Sequence, residues 1–243
     1  MTAQRAVIAI VIFIGLFGLW NLLHPTHSYR YRLTVEVEKD GKVHSGSSVV
    51  ELITTRNFFL SALDTVPEWG TAYRGEAVFV DLGGGDHLVT LLVTTDETGP
   101  TASLPSRVIL GAETARGKLA GVYDALTTQY PGRLADAEGR SYPVTFDQLP
   151  PMIRFRDLDD PLTVERVDPA DLAASYGPGV VFRAAKLEIT RDTITEAITQ
   201  RLPWLNQMRP DKSLSGSIGT SWLAGDLPYA NPRQIAYRNF LAE

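Results

Sequence analysis

The chain has no cysteine. That absence excludes a cysteine nucleophile, a disulfide, a lipidated cysteine and any zinc or iron–sulfur centre ligated through sulfur, though it assigns no redox compartment. Histidine is almost as scarce. Of four, His24 and His27 border an apolar N-terminal run, which leaves His44 and His87 as candidates for a base or a ligand. A basic excess is also missing: 23 Lys and Arg stand against 28 Asp and Glu, for a net charge of −5. Nucleic-acid binders usually carry such an excess to replace phosphate counterions, so nucleic acid is not an expected partner. The same balance argues against polybasic docking on an anionic bilayer. No internal repeat of solenoid length is visible.

What is present is globular in composition, with 44% hydrophobic and 21% charged residues in 243. A domain of the size that follows residue 27 buries roughly 70% of the surface its unfolded chain exposes, and needs no metal or disulfide to hold it. One soluble domain, residues 28–243, is the economical reading, with residues 206–243 an irregular C-terminal extension.

Residues 6–23, AVIAIVIFIGLFGLWNLL, carry no charge. As a helix this stretch spans ~27 Å, the short end of what crosses a hydrocarbon core. It opens at Ala6 after Arg5, carries Trp20 near its far end as an interfacial anchor, and closes at Leu23 before Pro25. The rival reading is a cleaved signal peptide. That would need a shorter apolar region and small residues before the cut, where Leu19, Trp20, Leu22 and Leu23 stand instead. The expectation is an uncleaved transmembrane helix over residues 1–27, with the lipid bilayer as its partner. Counting Arg30, Arg32, Lys39 and Lys42 against the lone Arg5 would put the following domain in the cytoplasm. A short tail before a long domain is instead the layout of a signal anchor. Export to the periplasmic side is the expectation, and a cytoplasmic-facing domain the alternative.

The soluble part opens with RYRLTVEVE at 30–38, a faultless polar–apolar alternation that predicts a half-buried strand. Asp40-Gly41 is a hairpin turn, and 43–55 the return strand with Val49, Val50, Leu52 and Ile53 as its apolar part. Further on, VFVDL and LVTLLV flank Gly83-Gly84-Gly85-Asp86. A phosphate loop would need Lys-Ser/Thr after the glycines, or a helix opening on G-x-G-x-x-G; here an acid and a strand follow. GGGD is therefore read as a hairpin turn in which glycine permits positive φ.

Residues 112–130 change period. Ala112, Ala115, Leu119, Val122, Tyr123, Leu126 and Tyr130 fall on one helical stripe, ended by Pro131-Gly132. The far face carries Gly117 and Gly121, either a tolerant exposed surface or a packing face for another backbone. Residues 141–146 and 152–156 read as brief strands. Asp168, Pro169 and Gly177 read as the N-cap, first turn and stop of a short helix, and 180–189 as a strand. Asp192 is expected to cap a helix over 193–201, residues 208–228 to form a loop, and 232–241 to add a last helical turn or two.

Searches for chemistry return little. His44 and His87 each sit just past a turn and read as exposed edge residues. Asp86 beside His87 makes no dyad, because neighbouring strand residues face opposite ways. Gly216-Ser217-Ile218-Gly219 lacks the G-x-S-x-G of a nucleophile elbow. Asp157 and Asp159 alternate as in a calcium loop, but Pro161 interrupts and the mid-loop glycine is missing, so they read as turn residues. No catalytic, cofactor-binding or metal-binding residue is singled out, and no cofactor is expected.

The pieces LTVEVEKDGKVHSGSSVVEL, EAVFVDLGGGDHLVTLLV and DPLTVERVDPADLAASYGPGV, with the later RLPWL, resemble uncharacterised single-pass bacterial membrane proteins. The resemblance covers most of the soluble part. It implies architecture and a bacterial source, and no functional residue. The expectation is an α+β domain, mostly antiparallel sheet with one main packing helix, on an N-terminal transmembrane helix. Its expected role is non-catalytic binding or scaffolding in the envelope. The alternative is a membrane-tethered hydrolase with an unrecognised site.

Overall fold

A computed structural model describes residues 10–16, 18–19, 26–56, 69–92, 104–105, 107–109, 138–208 and 240–242. The chain divides into two compact units, one of residues 1–28 and 52–72 and the other of 29–51 and 73–243. In the first, residues 10–16 are helical and Leu52 is buried. Among the described residues no helix is long and apolar enough to cross a membrane. Ala6, Trp20 and Leu23 lie outside the described residues, as do the stretch 112–130 and its Gly117 and Gly121, and Gly216 to Gly219.

Among the described residues, ten strands form two sheets. They are β1 (Thr26–Lys39), β2 (Lys42–Arg56), β3 (Trp69–Glu76), β4 (Val78–Gly83), β5 (Asp86–Thr90), β6 (Ser141–Pro143), β7 (Met152–Phe155), β8 (Val164–Val167), β9 (Val180–Thr190) and β10 (Leu241–Ala242). The first sheet runs β10-β3-β2-β1-β9-β6 and the second β4-β5-β7-β8. The pairs β1–β9, β6–β9 and β3–β10 in the first, and β4–β5, β5–β7 and β7–β8 in the second, are antiparallel. The mostly antiparallel α+β expectation holds, with two sheets in place of one.

The alternation read in β1 is realised: Tyr31, Leu33, Val35 and Val37 are buried while the residues between them are not. Its outward face is charged and faces opposite charge on β9. Arg32 lies directly across from Glu188, Glu36 meets Lys186 at 2.7 Å, and Arg183 Nε donates to Glu38 at 2.7 Å. Such exposed pairs contribute ~0–1 kcal/mol each, so the buried side of β1 supplies most of the stability. At the turn, Asp40 (φ 52°) and Gly41 (φ 78°) both take positive φ, the twist that a two-residue hairpin needs. The Asp40 N–H donates to Gly179 O at 3.1 Å, tying the turn to the residue just before β9.

β3 and β4 are separated by Ala77 alone, and there the chain passes from one sheet to the other. GGGD is the β4–β5 turn, with Gly83, Gly84 and Gly85 all at positive φ. Asp86 is not a free surface acid. Its carboxylate accepts from Lys39 Nζ at 2.6 Å, and the same ammonium reaches Gly83 O at 3.3 Å.

Three local expectations are corrected. The short helix is α1 (Leu172–Tyr176), capped by Asp171, whose carboxylate accepts from Ala174 N; Asp168 instead accepts from Ala170 N in the preceding turn. An Asp can hold either an N-cap or a turn, and two of them three residues apart compete for the role. Gly177, at φ 91°, ends α1 as expected. Asp192 caps no helix: it pairs with Arg32 and Thr190, and α2 spans only Ile198–Arg201. Of the run 232–241, expected to add a helical turn or two, residues 232–239 lie outside the described residues; at its end Leu241 pairs with Glu76, and Ala242 with Gly75, as a strand.

The core under the second sheet gathers Val89, Ile153, Phe155 and Val164 from the strands, Ala77 and Leu91 from the residues that flank them, Ile198 from α2, Leu205 from the 3-10 turn Pro203–Gln207 and Leu202 from between the two. Phe240, fully buried, completes it from the far end of the chain.

Candidate functional site

Buried polar groups are where a soluble core either does chemistry or solves a bonding problem. Ser48, Glu76, His87 and Thr90 are the buried polar residues among those described. Each is positioned by a strand.

Glu76 ends β3. Its Oε2 accepts from Ala197 N at 2.6 Å and Ile198 N at 2.7 Å, the opening amides of α2. A helix leaves its first amides without intrahelical acceptors, and Ala197, the N-cap residue, offers no side-chain acceptor. A carboxylate more than a hundred residues earlier therefore does the capping. Around it, Ser48 Oγ donates to Glu76 O at 2.7 Å, Thr195 Oγ1 accepts from Val49 N at 2.8 Å, and Thr195 N donates to Val49 O at 3.2 Å. Burial pushes the Glu76 carboxyl above its usual range. The two amides oppose that shift and nearby Glu196 adds to it.

Two results follow for Glu76. Alanine there leaves the buried Ile198 amide unmet, at ~1–3 kcal/mol, and the part-buried Ala197 amide open to water, and urea unfolding should show the loss. The raised folded pKa means that the folded state binds the proton more tightly than the unfolded chain. The favourable contribution is complete below the ordinary value of 4.5 and is lost as pH rises through the folded pKa. Glu76→Gln should remove that pH dependence, so the wild type loses ground to it between acid and neutral pH.

His87 is not the exposed edge residue that the sequence suggests. It is 3% exposed, with its ring stacked between Phe79 (5.4 Å between centroids, 6° between planes) and Phe155 (6.0 Å, 19°). The aromatic residues that enclose it come from β4 and β7, and only pairing of the strands reveals them. Its Nε2 accepts from Phe155 N at 3.1 Å, and Nδ1 lies 3.2 Å from Gly85 O. An acceptor at Nε2 and a carbonyl at Nδ1 define the neutral Nδ1–H tautomer. Burial pushes the imidazole pKa down, and it outweighs the opposite pull of the Gly85 carbonyl, Asp86 and Asp81; Arg154 adds to the fall. His44, by contrast, is half-buried and donates through Nδ1 to Asp81 O at 2.9 Å.

Beside His87, Tyr176 of α1 donates its hydroxyl to His87 O at 2.8 Å. Burial raises the phenol's pKa and keeps it protonated. Arg154 of β7 lies 5.2 Å over the Tyr176 ring, gives two hydrogen bonds to Glu165 Oε2 (2.9 and 2.7 Å) and donates to Ser175 O. Asp86 points away to Lys39, so the expectation that it forms no dyad with His87 holds. Thr90 Oγ1 finds no hydrogen-bond partner among the described residues.

Asp157 and Asp160 act as turn residues: Asp157 Oδ1 accepts from Asp159 N at 3.0 Å and Asp160 Oδ1 from Leu162 N at 2.9 Å. Among the described residues no cluster of three or more His, Asp or Glu is arranged to hold a metal.

The residues that sequence reading passes over are Glu76, Arg154 and Tyr176. One signal was available for Glu76: a lone acid set immediately before the apolar run Ala77-Val78-Phe79-Val80. Ser48, Glu76 and His87 are each engaged with backbone groups, so their polar atoms serve the joints between strands and α2. The class these features define is an α+β protein with two mostly antiparallel sheets among the described residues, cross-stitched by buried polar side chains. No family model, curated protein or solved structure matches the chain.

Proposed function

We propose that the chain is a membrane-anchored bacterial envelope protein that works by binding or scaffolding, with the domain after residue 27 on the exported side. The observation that carries this reading is the N-terminal helical stretch. Ile10, Val11, Ile12, Phe13 and Ile14 follow one another on residues 10–16 and are each 56% to 69% exposed. Five consecutive helical residues at 100° intervals reach every face, so no side of this stretch is polar. Burying each such side chain contributes roughly 1.5–3 kcal/mol, and the uncharged run over 6–23 that contains them suits a hydrocarbon core better than water. Ser48, Glu76 and His87 are each taken up by backbone bonds within the chain, so these buried polar groups hold the fold together.

The protein is expected to stay with membranes after alkaline carbonate washing and to keep its first or second residue. A reporter fused after Glu243 should read as exported. Release by carbonate, or a purified N-terminus at Tyr29, would reject the anchor. A cytoplasmic reporter signal would reject the orientation alone.

A further inference from the structure

The register that sets Val89 against Ile153 in β5–β7 brings His87 to the place across from Phe155. There the ladder stops, since its paired residues are Val89 with Ile153 and Thr90 with Met152. The imidazole takes over: Phe155 N donates to His87 Nε2, and the His87 carbonyl accepts from the Tyr176 hydroxyl. A titratable side chain therefore stands where a backbone carbonyl would ordinarily receive the strand amide.

We propose that His87 is an acid-operated latch, which holds the β4–β5 hairpin to β7 while its ring is neutral and releases it when the ring takes a second proton. In the neutral ring Nε2 carries a lone pair aimed at the Phe155 amide. In the imidazolium both nitrogens are donors, so two N–H groups meet at that position and the bond is lost. The ring cannot turn aside, because Phe79 and Phe155 cover its two faces.

The charged groups around the ring do not rescue the imidazolium. From β4 and the hairpin, Asp81 and Asp86 favour the charged ring, but Asp86 is engaged by Lys39 of β1. From β7, Arg154 opposes it and is itself held by Glu165 of β8. From α1, the Tyr176 hydroxyl is donated to the His87 carbonyl and stays protonated. With the released ring at the ordinary 6.5 and the latched ring below it, acid favours the open arrangement. The latch holds above 6.5 and weakens as pH falls from there towards the folded pKa. Glu76 acts in the opposite sense, since its raised pKa favours the folded state in acid, so it cannot imitate the effect.

The test is amide hydrogen exchange with imidazole ¹⁵N shifts, on the full chain in detergent micelles, between about pH 7.5 and about pH 5. At the upper pH the shifts should show a protonated Nδ1 and a bare Nε2. After correction for intrinsic exchange, Phe155 amide protection should fall about tenfold for each pH unit below 6.5 until the latched ring itself titrates. His87→Gln can offer Phe155 an amide oxygen that does not titrate, and its Phe155 protection should be flat across the same range. Wild-type protection that changes less than about twofold, a proton on Nε2 at the upper pH, or a fall that persists in H87Q each overturns the latch. The wild-type measurements decide the matter if H87Q does not fold.

Discussion

Replacing Gly46 by alanine is expected to lower the melting temperature by roughly 6–12 °C. The reason is a backbone approach. A Cβ built at Gly46 of β2 would lie 2.1 Å from Phe79 O and 2.8 Å from Phe79 C of β4. Neither atom belongs to a side chain that could change rotamer, so a strand must move. Positions 44, 46 and 48 share one face of β2. His44 donates to Asp81 O at 2.9 Å and Ser48 to Glu76 O at 2.7 Å, so the neighbours on both sides of Gly46 are bonded to the same chain segment. Shifting β2 to admit a methyl group strains both bonds. Overpacking a closed site costs ~1–3 kcal/mol, and this one belongs at or above the upper end. For a chain of this length each kcal/mol is worth ~2–4 °C. Gly84→Ala is the control. Gly84 sits at φ 66° with nothing within 4 Å of a built Cβ, so only the left-handed backbone penalty of ~1–2 kcal/mol applies. Calorimetry of the two variants side by side measures the difference. A Gly46→Ala loss no larger than that of Gly84→Ala would mean that β2 does not press on Phe79.

Phe240→Ala is expected to remove ~3–5 kcal/mol of unfolding free energy, the usual cost of emptying a buried phenylalanine site. Phe240 is fully buried and packs against Trp204 (5.6 Å between centroids, 88° between planes) and Phe155 (6.3 Å, 32°). β10 pairs through Leu241 and Ala242 alone, and Ala77 N donates to Phe240 O at 2.7 Å. So short a strand has little pairing energy of its own, and the aromatic side chain holds it in place. The variant should therefore also lose exchange protection at the Ala77 amide. Denaturant unfolding gives the first quantity and hydrogen exchange the second. A loss below ~1 kcal/mol with Ala77 still protected would show that β10 is held by its pairing and not by Phe240.

Both results concern contacts between residues far apart in the chain, and here the sequence was least informative. Gly46 stands in a stretch that reads as ordinary return strand; nothing near it announces that Phe79 O lies against it. Phe240 sits in a run whose composition suggested a helical turn, but the open edge of β3 offered a ladder and the aromatic core a pocket. The helix expected over 193–201 shortened to Ile198–Arg201, because the segment before it bonds to β2 and takes its cap from Glu76. Asp192, the local candidate for that cap, was drawn to Arg32 across the sheet.

The sequence by itself determined the elements whose signal is local. A period of two buried Tyr31, Leu33, Val35 and Val37 on one face. Asp40-Gly41 and Gly83-Gly84-Gly85 marked the turns, since few other residues tolerate the positive φ found there. The predominantly antiparallel α+β class followed from short alternating runs separated by such turns. Tertiary structure alone decided which strands share a sheet and where the chain crosses between sheets. It alone decided that His87 is buried and that Glu76 caps α2. The physical reason is one of range. Periodicity and turn conformation are properties of a few neighbouring residues, whereas the burial of an imidazole or a carboxylate depends on which distant backbone amide is left without an acceptor when the strands come together.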